Sequence, residues 1–337
     1  MAATSSGTLE YGCAWTLECA AYCAVDCFAL CTGYLCLKAR NSFSKLLETW
    51  VQLFFYSVVI TLLFFVFDPA TFSLKNTVKA LLPVSYTQWW YMSGYFGMFL
   101  LIPVLNAAIE RIPKRVMLRT LVIVGAAFTL TGCLPKADPF KLNAGYCMAW
   151  LCTMYLFGAY FKKYGAFVGA NRGKSLLVYV GAFAFMVGSK LVIEAVTAAL
   201  TGTPRYGSTF ISYTSPFAVI CCIALFSLFL NLDIQSPRLK KFVSTAATVS
   251  LGVYIIHTHP LCFSLIIKGA FAWVASLPAL AIIPVALCCA AAIYVICSVI
   301  DWVRLKLFDA AKVGVLCEKV ASFAGGKMEL VLNRLGA

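Results

Sequence analysis

Two histidines, one aspartate inside an apolar run and one Lys–Glu pair are the residues of this 337-residue chain whose types and positions invite chemistry. His257 falls within an apolar run at 245–267. If residue 245 lies at a cytoplasmic boundary, a helical rise of 1.5 Å per residue carries the imidazole about 18 Å inward, near the bilayer midplane. An ionisable group at that depth is a candidate for function or for a structural hydrogen bond. Tyr254 and Thr258 lie within one turn of it and Ser250 on a nearby face, so they could orient the ring. His259, beside Pro260, has less claim. Asp26 is a carboxylate within the run 19–37, a costly placement that calls for a cavity or a partner. Lys190 and Glu194 stand four apart in the run 175–200, where their charges can meet on one helix face.

Asp26 sits within a cysteine stripe, Cys19, Cys23, Cys27 and Cys31, at four-residue intervals. Thiolates on successive turns could hold a soft metal. The stripe lacks a CxxC turn and a nearby histidine to close such a site, and cysteine also serves as a small apolar residue that lets helices approach. Packing is therefore the reading adopted, and no metal site is expected.

The elements that must position these groups follow from composition. Apolar residues and cysteine make up 62% of the chain and charged residues 12%, with a mean hydropathy of +0.89. Such a chain belongs in a membrane, where only helices or closed barrels satisfy their backbone. Strand-like alternation is absent, so the expected class is all-α: a polytopic membrane helical bundle of about nine transmembrane helices. The apolar runs are 19–37, 48–67, 89–109, 117–134, 145–161, 175–200, 211–231, 245–267 and 279–302. Residues 1–18 then form an extracytoplasmic N-terminal segment and 303–337 a cytoplasmic amphipathic tail. In the tail Leu305, Phe308, Leu316, Val320 and Phe323 recur at helical spacing, and Gly325 and Gly326 are expected to interrupt the helix. Trp89, Trp90 and Tyr91 read as an interfacial belt at the outer end of the third run.

The net charge of +14 could suggest nucleic acid. Topology explains it instead: of the 27 Lys and Arg residues, twenty fall in alternate loops and the tail and six in the opposite loops, which makes the rich side cytoplasmic. A multi-pass protein of the cell membrane, in contact with lipid and not with nucleic acid, is expected. No removable signal peptide is evident.

Four segments resemble, in order, the integral-membrane acyltransferase 3 family. AVDCFALCTGYLCLKARNSFSKLLETW (24–50) resembles its Val-Asp-x-Phe-Phe-x-x-Ser-Gly-Tyr helix and the basic loop that follows. QWWYMSGYFGMFLLIPVLN (88–106) is similar to an aromatic helix start ending in Pro-x-x-Asn, here Pro103 and Asn106. YTSPFAVICCIALFSLFL (213–230) resembles the segment before the last basic loop. SLGVYIIHTHP (250–260) resembles Ser-x-Gly-x-Tyr-x-x-His, with Ser250, Gly252, Tyr254 and His257 in register.

The resemblance implies transfer of an acyl group, commonly acetyl, from acyl-coenzyme A on the cytoplasmic side to a hydroxyl of a surface polysaccharide, glycolipid or lipid-linked sugar. His257, Tyr254 and Asp26 become the candidate catalytic residues. Arg40, Lys45, Arg111, Lys114 and Arg115 are the candidates for the phosphates of the acyl-CoA donor, since guanidinium groups suit bidentate phosphate contact. Arg40 has the strongest claim because the family carries basic residues there; most of the others could serve topology and anionic lipid alone. The family's first helix, bearing an Arg and the His usually given the catalytic role, has no counterpart here, which implies a truncated start, an inactive member or His257 in its place. Two other classes fit the intramembrane charges: a transporter or flippase of a lipid-linked sugar, and a non-catalytic partner in glycan assembly.

Overall fold

In the computed structural model residues 7–37, 43–134, 137–165 and 171–334 are described, with side chains as far as 327. Every regular element among them is helical, as the apolar runs require. Each of the expected runs contains a helix. Among the described residues, seven helical stretches are long and apolar enough to cross a membrane, the first of them Leu9–Cys36 taken as one. α7 (Met148–Tyr164) and α9 (Pro216–Leu230), at 17 and 15 residues, rise about 26 and 23 Å at 1.5 Å per residue, short of a hydrocarbon core about 30 Å thick.

Local chemistry sets the helix ends. α8 (Arg172–Thr201) starts where the Asn171 side chain accepts the Lys174 N–H and stops at Gly202, whose left-handed conformation (φ 76°) suits a residue without Cβ. α9 and α10 (Pro237–His257) each open on a Ser-Pro pair, the serine side chain capping and the proline supplying a preset φ at the first turn.

The chain divides into two compact units. The first comprises residues 1–40, 94–233 and 271–287. Here α1 (Leu9–Ala21) and α2 (Ala24–Cys36) follow one another across a break at Tyr22–Cys23. Helix thus begins at Leu9, before the apolar run at 19, because Thr8 caps it and because Glu10 and Glu18 lower the hydropathy of a segment that is nonetheless helical. α2 lies against α7 at backbone distance: a Cβ on Gly33 would overlap the Tyr155 carbonyl, and one on Gly158 the Leu30 carbonyl. Small residues permit this approach, which is how helices in lipid gain contact without a hydrophobic driving force. α8, α9 and α6 (Lys114–Gly132) complete the packing of this unit.

The second unit comprises 41–93, 234–270 and 288–337. α3 (Phe43–Phe67) packs against α10, the short α4 (Leu74–Leu81) and the C-terminal α12 (Val313–Arg334). α5 (Trp90–Arg111) and α11 (Ala279–Ala310) carry the chain between units. α11 runs through residue 302 and ends before Lys312, which takes a positive φ. α12 continues across Gly325 and Gly326, so the expected interruption is corrected; two glycines weaken a helix by about 1 kcal/mol each without forbidding it. On α12, burial and then the Glu48 carboxylate push the Cys317 thiol above its ordinary range.

The run 245–267 is corrected as well. α10 begins at Pro237 and stops at His257; residues 262–267 form a separate π-helical turn. Pro260 carries no N–H and cannot continue the ladder of the preceding turn.

Candidate active site

In the second unit the late motif has a visible physical basis. Gly252 faces Asp301, and a Cβ at residue 252 would overlap that carboxylate. Asp301 is fully buried and accepts hydrogen bonds from Tyr56 Oη (2.8 Å), Gln52 Nε2 (3.3 Å) and the Arg304 guanidinium (2.8–3.0 Å). This is the multiply bonded, charge-compensated state a carboxylate needs when removed from water. Ser250 Oγ bonds the Ala246 carbonyl of its own helix at 2.8 Å and lies 3.2 Å from Tyr294 Oη. Serine and glycine of the motif therefore serve packing.

His257 closes α10. Its Nδ1 is 2.7 Å from the Val253 carbonyl oxygen; a carbonyl only accepts, so Nδ1 is the donor in this contact, and in the neutral ring Nε2 is the nitrogen with the lone pair. The half-exposed ring lies 6.3 Å from that of Tyr254, edge to face, and Tyr254 meets Tyr91 in the same manner at 6.1 Å. α10 starts at Pro237, so His257 is about 30 Å from that start at 1.5 Å per residue, at the end of the helix remote from Arg238, Lys240 and Lys241.

His259 is buried among side chains. Nε2 lies 2.9 Å from the Gln88 amide and 3.5 Å from Thr61 Oγ1, Nδ1 accepts the Leu261 N–H at 3.3 Å, and the ring meets Trp89 edge to face at 5.5 Å. The Gln88 side chain bridges the ring to α3, its amide nitrogen 2.9 Å from Nε2 and its oxygen accepting from Ser57 Oγ at 2.8 Å. Both nitrogens are engaged, which fits a structural histidine. Trp89 is buried and donates its indole N–H to the Ile255 carbonyl at 3.2 Å, so its expected place in an interfacial belt is corrected: the N–H finds a partner inside the protein.

In the first unit Asp26 is fully buried. Oδ1 accepts the Trp150 indole N–H at 2.8 Å, while Oδ2 has no partner among the described residues. Asn106 of the Pro-x-x-Asn segment joins two helices, donating to the Cys36 carbonyl at 3.3 Å and accepting from Tyr155 Oη at 2.7 Å. The thiols act as small packing groups: Cys221 Sγ approaches the Tyr179 carbonyl and Cys27 Sγ the Cys222 carbonyl. Among the described residues, no three His, Cys, Asp or Glu converge on a metal position.

Arg111, Lys114 and Arg115 are exposed at the junction of α5 and α6. Lys114 and Lys163 both approach the Tyr164 ring, at 5.3 and 5.0 Å, and Lys162 lies over Tyr34 at 4.5 Å. Lys163 also donates to the Ile109 and Glu110 carbonyls. Lys45 is exposed on α3 in the second unit, and Arg40 lies outside the described residues. Asp26 thus belongs to one unit and His257 with Tyr254 to the other. The Asp301–Arg304 pair escaped the sequence reading, although their i,i+3 spacing at the end of a long apolar run was a usable signal, as was the polar stripe Gln52, Tyr56, Ser57 and Thr61 on α3.

Apolar helices long enough to span a bilayer and carrying buried polar clusters define a polytopic α-helical membrane protein. A family model described as an acyltransferase domain matches residues 6–302, and the chain belongs to the acyltransferase 3 family. No curated protein matches the chain, and no solved structure matches it.

Proposed function

We propose that this membrane acyltransferase takes an acyl group, acetyl in the first instance, from acyl-coenzyme A and delivers it to a hydroxyl of a cell-surface polysaccharide or glycolipid. The observation that carries the reading is the contact of His257 Nδ1 with the Val253 carbonyl: an N–H on Nδ1 donating there leaves Nε2 available as a base in the neutral ring. In this reading Nε2 takes the proton of the acceptor hydroxyl as its oxygen attacks the thioester carbonyl. The carbon–sulfur bond breaks, and the departing thiolate recovers the proton from the imidazolium. Tyr254, edge to face with the ring, positions it.

Arg111, Lys114 and Arg115 offer cationic donors for the phosphates of coenzyme A, with Lys163 of α7 sharing the Tyr164 ring with Lys114 and Arg40 and Lys45 following α2 in the chain. Asp26 is held too deeply, by Trp150 and its own burial, to meet a soluble substrate, and contributes by fixing α2 on α7.

The test uses membranes containing the chain, incubated with coenzyme A bearing a labelled acetyl group. Label in surface glycan above that of matched membranes lacking the chain supports the reading. Label that stays on coenzyme A, or is released only as free acetate, contradicts it.

A further inference from the structure

A cavity of about 550 Å³ opens within the first unit, lined by the end of α6, the loop around Asp138, the loop 204–214 and Glu194 of α8. That volume suits a small-molecule ligand. By the charge asymmetry of the loops it lies on the face opposite the basic side, the face where a surface glycan is found.

Glu194 gives the cavity its character. Its Oε1 accepts from Lys190 Nζ at 2.6 Å, and Tyr11 Oη lies 3.1 and 2.9 Å from its two oxygens. Lys190 is buried and stands 3.6 Å from the Trp15 ring. The Gly207 backbone closes on the same carboxylate, since a Cβ there would overlap it. Glu194 is thus charge-compensated and pinned, while its 15% exposed side chain keeps acceptor capacity on the cavity side. Asp138 is likewise satisfied, accepting the Leu142 and Asn143 N–H groups at 2.7 and 2.8 Å. Around these stand the hydroxyls of Ser208, Thr209 and Ser212 and the exposed guanidinium of Arg205.

Such a lining offers donors and acceptors together with little uncompensated charge. Apolar side chains such as Leu134, Leu142 and Ile211 stand between these polar groups, and a phosphate would meet two carboxylates with one arginine. A ring bearing several hydroxyls can pair with each group, and Tyr206, half exposed beside them, supplies an aromatic face. We infer that this cavity holds a saccharide unit of the acceptor, with Glu194 accepting from its hydroxyls. The inference rests on the acyl-transfer reading for the word acceptor, and on the cavity alone for the ligand class.

The full chain, purified in nanodiscs, is titrated calorimetrically with methyl glucoside, methyl N-acetylglucosaminide and methyl glucuronide. At least one binds in the millimolar range, and binding weakens by at least about tenfold in Ser208→Trp, which fills the cavity from an exposed position, and in Glu194→Gln, which removes a charged acceptor. If none of the three binds the wild-type chain, or if Ser208→Trp binds with unchanged affinity, the assignment is overturned. No acyl donor is present, so a chain that binds a glycoside yet transfers no acetyl refutes the proposed reaction and leaves the saccharide site standing; a chain that transfers acetyl but binds no glycoside does the reverse.

Discussion

The imidazole of His257 and the carbonyl of Val253, one turn earlier on α10, are 2.7 Å apart, and that contact decides which ring nitrogen can act. If Nε2 is the general base, His257→Gln lowers kcat for acetyl transfer by about 10²–10⁴-fold. The ring is half-buried and its hydrogen bond among the described residues runs to its own helix, so the thermal midpoint of the purified variant stays near that of the wild type. Steady-state rates and a thermal melt on the same preparation check both halves.

His259 has the opposite signature. Replacing it with alanine leaves the Gln88 amide and the Leu261 N–H without their partner, at about 1–3 kcal/mol for each buried group left unpaired. His259→Ala lowers the thermal midpoint, while the activity per folded molecule falls far less than in His257→Gln.

Gly252 and Gly181 separate close packing from helix propensity. Gly252→Ala drives a methyl into Asp301 and destabilises by about 1–3 kcal/mol. Gly181, inside α8 with open space where its Cβ would lie, tolerates alanine and gains up to about 1 kcal/mol. Denaturation of the two variants side by side distinguishes them.

Arg304→Met strands the buried Asp301 carboxylate and costs about 3–5 kcal/mol, as breaking one side of a buried pair does. Adding Asp301→Asn to that variant recovers part of the loss. A double-mutant cycle measures the coupling; additive losses would mean that the two residues do not interact.

On the donor side, replacing Arg111, Lys114 and Arg115 together with glutamine raises KM for acyl-CoA several-fold, leaves kcat nearly unchanged and flattens the dependence of KM on salt, because exposed charges act through a screened field. KM measured at two ionic strengths is the check.

The sequence made the class of fold legible through one property: a residue facing lipid or a neighbouring helix must be apolar, and the runs that result mark the helices. It also exposed Asp26 and brought Lys190 to Glu194, since i,i+4 spacing becomes contact in any α-helix. Breaks inside apolar segments were less visible. Hydropathy does not register the interruption at Tyr22–Cys23, and it carried the eighth run past His257 although Pro260 marked a stop. Asp301 was hidden because a carboxylate beside an arginine at the end of a run reads as the start of a solvated tail; only the convergence of Gln52 and Tyr56 from α3 reveals it as buried. The cavity beside Glu194 could not be read at all, since its walls come from three separated segments.

The most direct measurement is acetyl transfer from labelled acetyl-CoA to glycan in proteoliposomes carrying either the wild-type chain or His257→Gln at equal folded amounts. Transfer by the wild type and its loss by about a hundredfold or more in the variant is the expected result. Equal transfer by the two proteins would show that the base lies elsewhere and would contradict the role assigned to His257.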